Sequence, residues 1–295
     1  MRVAALFRYP VKGFTGEECD TLEVLPGGRI AGDRVLGVRC NDSTTADEAW
    51  GTKQEFVVLV NTPGLAALRL KFNHETLRLR IQKGDDILLD DVLDAAGRRR
   101  FAYVIEQYVV GLAENPISPR SDRLPLRVVG DGITPRYQDR EPGYATLHGR
   151  GSVDAIASAV NEAPHLTEKR FRSNIAVDGM EAWEEQRWIG RRLRIGDIEF
   201  NVAAPVTRCL ATHAHPVTGK RDLPIMKTLL QLIATQRPTF AILMTTDHRG
   251  RIRVGDEDRP VDPGSVVFVA AHVDHRFHTI TSDLTILVVF APPET

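Results

Sequence analysis

The sequence predicts a mainly β chain with some α-helix, an α+β fold in which an N-terminal β-barrel domain precedes a second β-barrel domain carrying a few helices. Three observations carry this expectation. Short apolar runs recur along the chain, each closed by a Gly, Asp or Pro turn. Several of them alternate with charged residues, as half-exposed strands do. Only two stretches repeat apolar residues at helical spacing, Val153-Ile156-Ala159-Val160 and Ile225-Met226-Leu229-Leu232-Ile233.

Residues 3–7 read as the first strand, closed by Tyr9-Pro10-Val11-Lys12-Gly13. Leu22 to Leu25 reads as strand, Pro26-Gly27-Gly28 as turn, and Gly32-Asp33-Arg34 leads into a strand at Val35 to Val38. The polar run Thr44 to Thr52 predicts a mobile loop, and Phe56 to Val60 an apolar strand. Leu77, Leu79 and Ile81 alternate with Arg78 and Arg80; Ile87 to Leu89 follows the turn Gly84-Asp85-Asp86. Arg98-Arg99-Arg100 reads as a solvated face. Residues 114–147 carry little periodicity and predict a long surface connection with one strand, Leu126 to Val129. Ser152 is positioned to cap the first helix, behind His148-Gly149-Arg150-Gly151. Ile175 to Val177 reads as strand, and Leu193 to Ile195 pairs with Ile198 to Val202 across Gly196-Asp197. Pro224 opens the second helix. Phe240 to Met244, Ile252 to Asp256, Val266 to Val269 and Leu284 to Phe290 read as further strands.

Bulk properties exclude several classes. The formal net charge is −1 over 295 residues, so no global field draws the chain to nucleic acid or an anionic membrane. Three cysteines without a CxxC pair argue against a disulfide framework, a zinc ribbon or a four-cysteine cluster. No apolar run approaches the roughly 20 residues of a membrane span, and the N-terminal residues are too interrupted for a signal peptide. A reducing, cytoplasmic setting is expected. Nucleotide-binding glycine motifs, HExxH and GxSxG are not found.

The chemistry concentrates in Pro205-Val206-Thr207-Arg208-Cys209-Leu210-Ala211-Thr212-His213-Ala214-His215-Pro216-Val217-Thr218-Gly219. A cysteine there sits at a strand end beside Arg, Thr and His. Basic, partly exposed surroundings favour the thiolate, which is both nucleophile and metal ligand. A small buried hydrophobe is the alternative fate of such a cysteine, and spacing alone leaves both open. Lys12 and Arg34 each sit at a strand edge; taken alone, Lys12 reads as a solvated lysine.

Several stretches together resemble the MOSC family. Tyr9-Pro10-Val11-Lys12 and Gly32-Asp33-Arg34 look like the signature of the β-barrel domain that precedes a MOSC domain. Phe171-Arg172-Ser173-Asn174-Ile175-Ala176-Val177-Asp178-Gly179 resembles the family's Arg-Pro-Asn strand. Thr207-Arg208-Cys209, Thr212 and Pro216-Val217-Thr218-Gly219 resemble its cysteine loop, and Ile252 to Glu257 its closing strand. The resemblance places an N-terminal domain at 1–113, a MOSC domain at 114–260 and a tail at 261–295. That tail resembles half a cupin. Its His272, His275 and His278 do not make a complete metal site by spacing, and the tail is expected as an appendage or an oligomer contact.

What the resemblance implies is a molybdenum cofactor (Mo-molybdopterin) oxidoreductase akin to the amidoxime-reducing proteins. Cys209 would ligate the metal; a soft thiolate suits molybdenum held by other sulfurs. Lys12, Arg34 and Arg172 would bind the pterin phosphate and ring system, with Asn174 beside them in the strand motif. His148, Ser152, Thr207 and Arg208 would add contacts, and His213 and His215 would donate protons. The expected reaction is reduction of small N-oxygenated molecules by oxygen transfer to molybdenum. Electrons would come from an external ferredoxin, flavin or haem protein. The alternative is a non-catalytic cofactor or sulfur carrier using Cys209. The chain departs from the family pattern at Gly13, Ser173 and His215.

Overall fold

Alternation decides the first sheet. From Leu68 to Asn73 every second side chain is buried, and charged residues take the other face. This segment (β4) pairs antiparallel with β5, Arg78–Lys83, and β5 pairs with β6, Asp86–Val92. The remaining strands are β1 (Arg2–Arg8), β2 (Glu17–Cys19), β3 (Gly37–Arg39), β7 (Arg127–Val129), β8 (Ala145–Gly149), β9 (Ile175–Asp178), β10 (Arg192–Ile195), β11 (Ile198–Thr207), β12 (Thr239–Thr246), β13 (Gly250–Val254), β14 (Glu257–Val261) and β15 (His275–His278). Three α-helices accompany them: α1 (Ala95–Val110), α2 (Arg150–Ala159) and α3 (Ile225–Ile233). The structure, a computed structural model, describes residues 1–141, 143–161, 166–233, 236–246, 250–261 and 265–278. The expected strand at Leu284 to Phe290 lies outside them.

Among the described residues the fold is mainly β with α. Seven strands form one sheet in the order β10-β11-β12-β8-β9-β1-β2, with β8 and β9 parallel and the other pairs antiparallel. The other sheets are β4-β5-β6, β3-β7 and β14-β13-β15. Among the described residues none of these strand orders closes on itself. Sheet membership also crosses the expected boundaries. β1 and β2 join the sheet of the second half, and β15 pairs with β13 across residue 260.

The core has separate centres. Val11, Phe14, Leu36, Leu65, Phe101 and Ile105 anchor the N-terminal one. Leu147, Ile175, Phe200 and Ile242 pack on one face of the large sheet. Val153, Phe171, Ile225, Leu229 and Phe240 join α2 and α3 to it.

Several sequence expectations change. α1 was not anticipated: Asp94 caps it by accepting from the amides of Ala96 and Gly97, and Phe101, Ile105 and Val109 form its buried stripe. The helix cap at Ser152 moves to Gly149; Ser152 lies inside the first turn of α2. Phe56 to Val60 forms a single bridge, Arg39 to Phe56, rather than a strand, and Val266 to Val269 forms none. The stretch expected as a mobile loop is pinned. The Arg39 guanidinium, fully buried, donates to the carbonyls of Thr45 (3.0 Å), Ala46 (2.7 Å) and Ala49 (3.0 Å). Trp50 Nε1 donates to the Gln138 carbonyl at 2.9 Å, and Arg136 pairs with Glu48 at 3.1 Å. Among the described residues no helix is long and apolar enough to cross a membrane.

Candidate cofactor and active site

The end of β1 delivers Tyr9, 2% exposed, against two guanidinium groups. Arg34 Cζ lies 5.0 Å and Arg172 Cζ 4.5 Å from the Tyr9 ring centroid. Contacts of this kind contribute about 0.5–2 kcal/mol each. The Tyr9 hydroxyl donates to the Ser173 carbonyl at 3.1 Å. Both arginines hold a left-handed backbone, φ 54° at each. That conformation costs a non-glycine residue about 1–3 kcal/mol and concentrates at functional sites. Asp33 holds the group together. Its Oδ1 accepts from the Tyr9 amide at 2.7 Å and from Asn174 Nδ2 at 3.4 Å, and its Oδ2 pairs with Arg34.

β11 supplies the cysteine. Pro205 has no N–H for the ladder, and the register with β12 shifts between Val202 and Ala204 and again between Pro205 and Thr207. Such bulges re-aim the residues that follow. Cys209 then leaves the strand in extended conformation, φ −136°, and starts a short 3-10 turn, Leu210–His213. Its carbonyl accepts from the Thr212 amide at 3.1 Å and the Thr212 hydroxyl at 3.0 Å. The half-buried thiol lines a cavity of about 170 Å³.

That cavity lies where the N-terminal core meets the helix-side core, with Leu59 and Phe171 in its wall. Of the residues expected at the site, it gathers Lys12, Arg34, Arg172, Thr207, Arg208 and Cys209. It also gathers residues that sequence reasoning missed: Lys53, Asp139, Arg140, Tyr144, Thr146 and Arg170. Arg170 lies two residues before Arg172, a usable signal. Asp139 and Arg140 lie in the aperiodic connection and offered none.

The electrostatics are those of an anion site. Burial pushes the Arg172 guanidinium down to about 10, and the Arg34 charge pushes the same way. Burial also lowers Arg208, whose Nε is buried without a hydrogen-bond partner while its Nη2 donates to the Phe171 carbonyl. Burial lowers Lys12 as well. Asp139 is the cavity's one acidic wall residue, and 85% of its side chain is open to solvent. Crowding raises its carboxyl, but Lys12, then Arg34, Arg172 and Lys53, overcome this and hold it at about 2.

Lys12 carries a different first task from the one expected. At 2% exposure, its Nζ donates to the carbonyls of Tyr137 (2.8 Å) and Gln138 (3.2 Å) and meets Asp139 Oδ1 at 3.5 Å. An ammonium has three donors, and all three end on segment 137–139. Gly13, a departure from the family pattern, has a local cause. At φ 78° its backbone lies so close to Val58 that a Cβ would come within 2.4 Å of Val58 Cγ1.

Five expected site residues do not line the cavity. His148 is buried, bonded through Nε2 to Glu168 at 3.2 Å and packed on Phe240. Ser152 donates to Glu185 Oε2 at 2.9 Å and accepts from the Trp183 amide at 2.8 Å. Asn174 is spent on Thr146, Phe7 and Asp33, tying β8, β1 and the Arg34 turn together. His213 Nε2 accepts from the Met226 amide at 3.2 Å, in the first turn of α3, and burial lowers its pKa. His215 Nδ1 accepts from the amides of Val217 and Thr218 at 3.1 and 3.2 Å. These groups shape the walls and turns instead. In the tail, His278 pairs with Asp258 at 3.1 Å, and among the described residues no three His, Cys, Asp or Glu side chains assemble a metal site.

Comparison with known proteins adds to this picture. Residues 1–109 match the family model described as the MOSC N-terminal beta barrel domain, and residues 144–258 match the MOSC domain. An uncharacterised Streptomyces coelicolor protein is 56% identical over 46 residues, 16% of this chain and 44% of that protein. Mitochondrial amidoxime reducing component 2 of Rattus norvegicus is 33% identical over 130 residues, 41% of this chain and 38% of the relative. Molybdenum cofactor sulfurase of Caenorhabditis briggsae is 37% identical over 129 residues, 44% of this chain and 17% of the relative. The chain thus spans less than half the length of each of these relatives.

Proposed function

We propose that this chain, which belongs to the MOSC family through both its N-terminal beta barrel domain and its MOSC domain, binds the molybdenum cofactor at Cys209 and reduces small N-oxygenated molecules. One observation carries the reading: a thiol shares a cavity with two buried guanidinium groups, Arg172 and Arg208, that form no ion pair among the described residues. Arg172 is pushed down to about 10, and Arg208 Nε is buried and unpartnered. A phosphate ester relieves both, because guanidinium groups match phosphate geometry and charge. The donor set therefore fits the cofactor.

Arg34, Arg172 and Arg208 would hold the phosphate and pterin. Lys12 adds charge from behind and fixes segment 137–139. Thr207 lines the same cavity as a hydroxyl donor, while the Thr146 hydroxyl in the wall already donates to Asn174 Oδ1. The cofactor would supply two-electron chemistry, with the Cys209 sulfur as its protein ligand. The overall reaction takes an N-hydroxyamidine, two electrons and two protons to an amidine and water. An external redox protein, of ferredoxin, flavin or haem type, delivers the electrons. The rings of His213 and His215 accept backbone bonds, and proton delivery is not assigned to them. Relatedness to a protein named for amidoxime reduction supports the substrate class.

The test is metal content and turnover together. Protein made in a host that synthesises the cofactor should carry molybdenum and reduce N-hydroxybenzamidine with a chemical electron donor. Cys209→Ala should lose the metal while keeping the melting temperature of the cofactor-free parent. A Cys209→Ala protein that retains stoichiometric molybdenum overturns the ligand assignment. A second reading, a non-catalytic cofactor or sulfur carrier, draws support from the similarity to the sulfurase. Loaded protein that turns over no N-oxygenated substrate but passes cofactor or sulfur to an acceptor protein would select it.

A further inference from the structure

The cavity holds more positive charge than one cofactor phosphate neutralises. Arg34 has Asp33, Arg170 has Asp222 in a bidentate pair, and Lys12 has Asp139. Arg172 and Arg208 have no carboxylate partner among the described residues and, with Arg34, are left to the cofactor. Two more cations line the same cavity, Lys53 and Arg140. Both side chains are exposed, and among the described residues neither has a hydrogen-bonded or ion-pair partner.

They come from two different loops, and the loops are bound to each other. Buried Arg39 organises residues 45–49 from below, its guanidinium 4.7 Å from the Phe56 ring centroid. Trp50 bonds the Gln138 carbonyl, the Tyr137 hydroxyl bonds the Asp47 carbonyl at 2.5 Å, and Arg136 bonds the Glu48 carbonyl at 3.3 Å. Lys12 then holds segment 137–139 from the cavity side. The backbone segments that precede Lys53 and Arg140 are thus fixed to each other, while the two side chains stay open to solvent. Pre-organisation is what makes charged contacts selective, because less conformational freedom is lost on binding.

We propose that this rim is a subsite for an anionic group carried by the substrate, a carboxylate that Lys53 and Arg140 hold while the N–O end reaches Cys209. The proposal rests on the reductive reading of the same cavity and names its substrate class. Asp139 lines the same cavity and acts on Lys53 as well as on Lys12, Arg34 and Arg172, so it disfavours a polyanion there.

The experiment uses the molybdenum-loaded protein and two substrates of one shape, N-hydroxybenzamidine and its 4-carboxy derivative, with reduced viologen as donor. The carboxylated substrate should be favoured by about tenfold or more in kcat/KM at low ionic strength, mostly through KM, and added salt should erode the preference. Calorimetry with benzamide and 4-carboxybenzamide gives the same comparison without turnover. Lys53→Glu with Arg140→Glu should abolish or reverse the preference in both assays. Both residues are exposed, so melting temperature should stay close to the parent. Equal affinity for the two amides, or a preference that survives the double substitution, overturns the rim subsite. Tight binding of the carboxylated amide without reduction of either substrate overturns the reductive reading alone and leaves the rim supported.

Discussion

Arg172→Gly separates the cost of building the site from its use. The Arg172 guanidinium is pushed down to about 10 by burial and by Arg34. A displacement of that size corresponds to about 3 kcal/mol of unfavourable charging at neutral pH in cofactor-free protein. Removing the side chain relieves that term. It also relieves the left-handed backbone at φ 54°, worth about 1–2 kcal/mol, against which a glycine loses about 0.5–1 kcal/mol through the entropy of its unfolded chain. Two contacts are lost: the stack on Tyr9, about 1 kcal/mol, and the charge-assisted bond to the Phe14 carbonyl, about 1.5–3 kcal/mol. Gains and losses nearly cancel, so cofactor-free Arg172→Gly should lie between about 1 kcal/mol less and about 2 kcal/mol more stable than the parent. Urea unfolding of cofactor-free protein measures this. The sign with pH is fixed. A cation with a depressed folded-state pKa destabilises the fold while it is protonated, so the advantage of the variant should shrink as pH rises through about 10. Molybdenum retention should fall sharply in the same variant. A loss of more than about 2 kcal/mol in the cofactor-free protein, or full metal retention, would show that Arg172 is there to support the fold.

Further substitutions test the frame around the site. Asp33→Ala strands the Tyr9 amide and Arg34 together and should destabilise by about 3–5 kcal/mol; an unchanged urea midpoint would refute the joining role of Asp33. Arg39→Ala should cost about 3–5 kcal/mol and speed hydrogen exchange through residues 45–50, and protection that persists there would show that the loop orders itself. Glu168 is raised by burial but held at about 2 by His148 and Arg150. Its contribution is therefore complete above the ordinary carboxylate range and disappears as pH falls toward 2, so Glu168→Gln should flatten the acid limb of the stability curve. A variant that tracks the parent from pH 5 to pH 2 would count against that pairing.

The sequence shows most plainly what repeats locally. The Gly196-Asp197 hairpin, the alternation of β5 and the stripe of α3 are each legible over a handful of residues. The cysteine loop and the basic motifs are legible by resemblance, and the cavity gathers Lys12, Arg34, Arg172, Arg208 and Cys209. α1 was hidden because three consecutive arginines, Arg98 to Arg100, and Gly97 mask a stripe that Phe101, Ile105 and Val109 alone define. The histidines and Ser152 misled for a different reason. A polar side chain near a site motif reads as chemistry, yet His213, His215 and Ser152 spend their acceptors on backbone amides. Asp139 and Arg140 were out of reach because their meaning lies in Lys12 and Lys53, each more than 80 positions away. No periodic pattern encodes such a pairing.

The placement of β1 has a consequence for synthesis. Arg2 to Leu6 pair with Ile175 to Asp178, and Tyr9 waits for Arg172 and the Ser173 carbonyl. On the ribosome β1 can pair with β2 within a few residues, but its other edge leaves the ribosome long before β9 exists. That edge must stay open or dock transiently elsewhere until the chain has grown past Asp178. Non-local pairing of this kind slows folding. A stop of translation anywhere before that point leaves a fragment with one edge of β1 open and without Arg172 over Tyr9, a natural substrate for chaperones and proteases.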